Sequence, residues 1–247
     1  FFFKQKTAYE IVDCDWSSDV CSSDLLFLRQ GRAGEGSLST GLLPTPDRRP
    51  GDDQLARLAA RRVLGYRHAA MLLVRHGQSE FNAIFNQTRT DPGIVDPRLT
   101  DLGRRQAAEA AEALAPAGIA RLIVSPYSRT LETAAIIAER LRVPIVVEAL
   151  VRERAAFTCD VGTSPARLGE RFPALRFDHL DDPWWHDHVA SGVEETEDAI
   201  VARGARFRAA MARAPDRAGV AVVTHWGFIK AMTGQQVLNG AIVPVPA

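Results

Sequence analysis

The chain has 247 residues, with 30 Lys and Arg against 30 Asp and Glu, so it is formally neutral. Neutrality gives no broad basic surface for nucleic acid. No apolar run approaches the ~18–20 residues of a membrane span; a cytoplasmic setting is expected. Three cysteines are present, Cys14, Cys21 and Cys159.

The opening is unlike the rest. KQKTAYEI and DWSSDVCSSDL read as in-frame translations of short-read sequencing adapters, and Val12 to Cys14 between them fit a sample index. Residues 1–25 are therefore expected to be a translated artefact, outside any reasoning about the fold. That leaves Cys159 as the one cysteine to consider, which supports no disulfide framework and fits a reducing compartment. Residues 26–66 are rich in Gly, Arg, Pro and Asp, with Pro44, Pro46 and Pro50 opposing regular structure. They read as a disordered leader or as translation upstream of the true start, with room for a short helix over Gln54–Leu64.

From about residue 67 to 247 strand and helix signals alternate. An apolar run at Ala70–Val74 is the first strand. Leu102–Leu114 is an alanine-rich helix with Thr100 placed to cap it. Arg121–Val124 is the second strand. Arg129–Leu141 carries Leu131, Ala134, Ala138 and Leu141 along one helical face. Pro144–Val147 is the third strand, Glu194–Ala212 a helix with Ile200, Gly204, Phe207 and Met211 in one stripe, Gly219–Val223 the fourth strand, and Phe228–Leu238 a closing helix. This alternation predicts an α/β domain, a three-layer αβα sandwich on a largely parallel sheet.

In such sheets sites form beyond the carboxyl ends of the strands. The first strand stops at Arg75-His76-Gly77 and polar residues open a helix, so a cation and an imidazole meet a place where backbone N–H groups already favour an anion. Ser125 to Thr130 follow the second strand, Glu148 and Arg152-Glu153-Arg154 the third, and Thr224-His225-Trp226-Gly227 the fourth. Two arginines, two histidines and a carboxylate are thus expected on one rim. Arginines can each bond two phosphoryl oxygens, and a neutral imidazole can attack phosphorus.

LLVRHGQSEFN, LTDLGRRQA, SPYSRTLETA and AVVTHWGF together resemble the histidine phosphatase superfamily, also called the phosphoglycerate mutase-like family, from about Met71 to Leu238. A weaker likeness, through CDVGTSPARLGERFP and the downstream Trp184-Trp185, is to uncharacterised bacterial and plant members. The resemblance implies a phosphoglycerate mutase-like fold and a phosphoric monoester hydrolase of the histidine acid phosphatase type. It implies that His76 becomes phosphohistidine, that Arg75 and Arg129 bind the phosphoryl group, that His225 is the second pocket histidine, and that Asn82 is a polar pocket residue. The acid is Glu153, with Glu148 its rival. Trp226 stands where the family often has glycine, leaving its backbone N–H for phosphate. Residues 156–192 fall at the variable, substrate-covering insert.

Lesser features carry two readings each. Asp181, Asp182, His186 and His188 could ligate a metal or belong to a lid; the lid is preferred, and no metal and no cofactor are expected. Ser79 caps a helix or touches phosphate. Arg152 and Arg154 bind a second anionic group or pair with acids. Cys159 reads as a packed residue. Arg203, Arg206, Arg208 and Arg213 read as a solvated helix face. The expected partner is a small phosphorylated substrate, with no nucleic acid and no membrane, and a homodimer is allowed. Metal-independent hydrolysis through phospho-His76 leads; the alternatives are a phosphoglycerate mutase, a phosphoprotein phosphatase and a non-catalytic regulatory module. The segment after Glu153, RAAFTCDVG, lacks the tyrosine-glycine pattern associated with true mutases.

Overall fold

A computed structural model describes residues 71–214 and 219–246. The readings made above for residues 1–70 lie outside the described residues. Five strands make one sheet in the order β3-β2-β4-β1-β5: β1 (Met71–Arg75), β2 (Arg121–Val124), β3 (Ile145–Val147), β4 (Val220–Thr224) and β5 (Ile242–Val245). β1, β2, β3 and β4 are parallel, and β5 pairs antiparallel with β1.

The central strands are apolar on both faces because both faces are covered. Leu72, Val74, Leu122, Val124, Ala221 and Val223 belong to one core, with Ala110, Leu114, Leu131 and Ile137 of α2 (Asp101–Leu114) and α3 (Ser128–Leu141). Met71, Leu73, Ile123, Val220 and Val222 belong to the other, with Ile200, Phe207 and Met211 of α6 (Glu197–Arg213) and Phe228, Ile229 and Met232 of α7 (Trp226–Thr233). Successive side chains of a strand point to opposite faces, so one short run such as MLLV feeds both cores. The result is the αβα sandwich read from the sequence. The remaining helices are α1 (Glu80–Thr88), α4 (Pro165–Arg171) and α5 (His188–Ser191).

Three features differ most from expectation. The closing helix spans Trp226–Thr233 rather than Phe228–Leu238, because Gly234 takes a left-handed φ of 73° and its N–H caps the Lys230 carbonyl. β5 was not anticipated; its Pro244 is compatible with the sheet edge, where one side of the strand has no ladder partner. The arginines of α6 are not one solvated face: Arg203 is buried, while Arg206, Arg208 and Arg213 are exposed.

Candidate active site

Strand register builds the centre of the site. β1 and β4 are aligned so that Arg75 lies beside Thr224. The next residue on each strand is a histidine, and the His76 and His225 rings come to 5.2 Å between centroids. β2 is aligned with β4 so that Val124 lies beside Val223, which brings Ser125 Oγ to 2.8 Å from His225 Nε2. Both imidazoles are buried.

The turn carrying His76 is held on every side. Its N–H donates to the Thr224 carbonyl (3.0 Å). Its carbonyl accepts from Asn239 Nδ2 (3.1 Å), and the Gly77 N–H donates to Thr133 Oγ1 (3.2 Å). Glycine is required at Gly77 and Gly103 by close approach: a Cβ on Gly77 would overlap the Gly103 backbone, and one on Gly103 the Gln78 backbone. The first and second sequence motifs therefore meet backbone to backbone. Ser79 caps α1, accepting from the Asn82 N–H, while the Asn82 side chain accepts from the Ser79 N–H and from Asn239 Nδ2 (3.2 Å each). Asn82 thus organises the loop beside His76.

His76 Nδ1 is 2.7 Å from the Gly77 carbonyl oxygen. A carbonyl only accepts, so Nδ1 carries the proton and Nε2 keeps its lone pair. Burial, then Arg129 and Arg75, hold His76 well below the usual imidazole range, against the smaller opposing pull of the Gly77 carbonyl. His225 is lowered likewise, by burial first and then by Arg129 and His76. Both rings are neutral at neutral pH. His225 Nδ1 is buried with no hydrogen-bond partner, and so is Arg75 Nε. Both atoms are buried donors near the His76 ring, suited to hydrogen-bonding an anion.

The cations come from two layers. Arg75 Nη1 donates to the Val237 carbonyl (2.6 Å). Burial lowers its guanidinium to about 10, with Glu153 opposing, so it stays charged at neutral pH. Arg129, in the first turn of α3, is buried, and its group is 4.4 Å from the Tyr127 ring centroid. It donates to the Cys159 carbonyl (2.7 Å) and to Asp160 Oδ1 (3.1 Å).

The two candidate acids separate clearly. Glu153 sits on the start of α7, its carboxylate accepting from the Gly227 N–H (3.1 Å) and from the Arg154 N–H (2.8 Å). Burial, then the charge of Asp160, raise it above the ordinary carboxyl value, with those two N–H groups and Arg129 opposing. Glu148 caps a short turn, accepting from the Leu150 N–H at 2.9 Å. Trp226 opens α7 next to His225, its ring 5.2 Å from Lys230 Nζ.

A scaffold of charges supports Glu153. Arg203 donates to the carbonyls of Leu150, Arg152 and Glu153 and pairs with Glu195 (2.9 Å). Arg152 pairs with Glu195 and Arg154 with Glu194 and Glu197, so both arginines are engaged by acids. The insert packs against the core through Trp184 on Tyr127 (4.7 Å), and its exposed Phe157 meets Phe85 of α1 (5.1 Å). His186 and His188 ring nitrogens meet the carbonyls of Val193 and His186. Among the described residues no group of three His, Cys, Asp or Glu side chains is placed to hold a metal ion, and no helix is long and apolar enough to cross a membrane.

Sequence reasoning passed over Ser125, Thr133, Asp160 and Asn239. Ser125 was findable as the residue directly after β2. Asp160 ends a three-residue 3-10 turn and Asn239 sits in the turn before β5, both too short for spacing to carry a signal.

At one edge of a mostly parallel sheet the fold thus gathers two histidines, two guanidiniums and a carboxyl. The chain belongs to the histidine phosphatase superfamily (branch 1), whose profile matches residues 71–239. It is 29% identical over 170 residues to a glucosyl-3-phosphoglycerate phosphatase of Mycolicibacterium vanbaalenii, covering 66% of this chain and 72% of the relative. It is 41% identical over 81 residues to a probable phosphoglycerate mutase of Proteus mirabilis, covering 33% and 36%. A solved mycobacterial glucosyl-3-phosphoglycerate phosphatase complexed with VO3 superposes with a TM-score of 0.48 and 21% identity over 70% of this chain and 88% of that one.

Proposed function

We propose that this protein is a metal-independent phosphatase that hydrolyses small phosphomonoesters through a phosphohistidine on His76. The observation that carries the reading is the neutral His76 with Nδ1 engaged by the Gly77 carbonyl, beside two guanidiniums. His76 Nε2 attacks phosphorus while Arg75 and Arg129 offset charge on the phosphoryl oxygens. The ester oxygen leaves with the proton of Glu153. Water then attacks the phosphohistidine, Glu153 takes its proton, and phosphate departs as His76 is released. His225 Nδ1, with no partner among its neighbours, supplies one more phosphoryl contact, as does the Trp226 N–H. The relative matched over most of its length is a phosphatase, and RAAFTCDVG after Glu153 lacks the tyrosine-glycine pattern associated with true mutases; both support hydrolysis over the mutase alternative.

The same reading makes residues 67–247 the working domain, with 156–192 covering the substrate and residues 1–66 dispensable. The test is hydrolysis of p-nitrophenyl phosphate in EDTA by a chain lacking residues 1–65. Activity is expected; a strict need for added metal overturns the mechanism. A screen of phosphorylated sugars, sugar acids, nucleotides and peptides then identifies the substrate.

A further inference from the structure

The mechanism above does not use Asp160, a charge buried against Arg129. Asp160 is 2% exposed and pairs with Arg129, itself 3% exposed, at 3.1 Å. Its other oxygen accepts from the Ala156 and Phe157 N–H groups (3.2 and 3.1 Å), and its carbonyl accepts from the Tyr127 hydroxyl at 2.6 Å. The adjacent Cys159 carbonyl takes the second arm of the Arg129 fork. Asp160 is therefore rigid, and Arg129 has little rotational freedom left. A planar guanidinium fixed along one edge presents its remaining donors in one direction.

We propose that Asp160 is a positioning residue: it aims Arg129 at the phosphoryl group and stands as a fixed negative charge among the groups around Glu153. The proposal rests on the phosphohistidine reading above. Glu153 is faced by Arg75 at the end of β1, Arg129 of α3, Arg203 of α6, Cys159 and Asp160 of the insert, and the N–H groups of Arg154 and Gly227. The three guanidiniums and the two N–H groups favour the carboxylate. Asp160 is the ionised acid opposing them, and it adds to the effect of burial. A phosphomonoester entering this site brings further negative charge, which again favours a proton on Glu153. That proton is the one the leaving oxygen needs.

The test uses phenyl phosphate, whose leaving group needs protonation more than p-nitrophenolate does. General acid catalysis by Glu153 gives kcat/KM a limb that falls as pH rises. Removing the negative neighbour in Asp160→Asn lowers the Glu153 pKa, so this limb moves to lower pH. The inhibition constant of inorganic phosphate also weakens, by roughly ten- to a hundredfold, as Arg129 loses its aim. Asp160→Glu keeps the charge and lengthens the arm: phosphate binding weakens with the limb in place, which answers the question if the Asn variant does not fold. A limb that stays put in Asp160→Asn, whether activity is kept or lost, overturns the proposal, as does unchanged phosphate binding in both variants. Glu153→Gln, run in parallel, separates the two readings. If it keeps the limb, the acid assignment itself fails; if it loses the limb while Asp160→Asn leaves it unmoved, only the role of Asp160 fails.

Discussion

His76 Nδ1 lies 2.7 Å from the carbonyl oxygen of its own neighbour Gly77, and this local hydrogen bond leaves Nε2 as the ring nitrogen with the free lone pair. His76→Ala should abolish acid-labile phosphorylation of the protein during turnover. Labelling that persists in this variant would remove His76 from its role.

Glu153 and Glu148 make a clean comparison. Glu153→Gln should slow turnover of phenyl phosphate by ~10²–10⁴, the usual span of a lost general acid, and slow p-nitrophenyl phosphate less. Glu148 caps a turn, so Glu148→Gln should cost at most about 1–2 kcal/mol of stability and little rate. Steady-state kinetics on both esters, with a melting curve, reads all of these outcomes.

Arg75 has a buried Nε without a partner. Arg75→Ala should lower kcat by roughly 10²–10³, and lysine should not restore it, because one ammonium cannot reproduce a two-point contact. Full activity in Arg75→Lys would refute a bidentate role.

Gly103 has no side chain to take part in the chemistry, yet its substitution should be felt there. A Cβ on Gly103 would run into the Gln78 backbone, just past the nucleophile turn. Gly103→Ala should cost about 1–3 kcal/mol of stability, typical of overpacking, and lower kcat as the turn shifts. An unchanged Tm and rate would mean that the helix simply slides aside.

Stability should fall on acidification through the histidine pair. Both rings are held below their ordinary value of 6.5, so below that pH the unfolded chain binds protons that the folded one refuses. Stability is therefore whole above pH 6.5 and lost progressively as pH drops toward the depressed folded values. Glu153, whose value is raised, works in the opposite sense, its contribution fading as pH rises through the folded value. Urea titrations at several pH values, comparing the parent with His225→Gln, isolate the histidine contribution; equal slopes in both would sink it.

Much of this was legible in the chain because the sheet converts sequence position into spatial position. Every residue directly after a parallel strand lands on the same rim, so Arg75, His76 and His225 could be placed from strand ends alone. Arg129 needed one more step, the helix that starts after β2. Legibility stopped where regular structure stops. Asp160 reaches Arg129 through a turn in the insert, and Asn239 reaches His76 from the turn before β5; neither has a period to betray it. Arg203 misled for another reason: among neighbouring arginines it looks like its exposed companions, and only the three carbonyls it serves and Glu195 distinguish it.

β1 lies between β4 and β5, and the turn into β5 clasps the nucleophile through Asn239 and through the Gly240 N–H. During synthesis the histidine strand leaves the ribosome long before either neighbour exists. The chain must therefore hold its most apolar segment unpaired until nearly the whole domain has emerged, a slow kind of closure for long-range contacts. A chain that stops before β4 carries His76 but neither the Thr224 carbonyl that takes its N–H nor the His225 ring beside it.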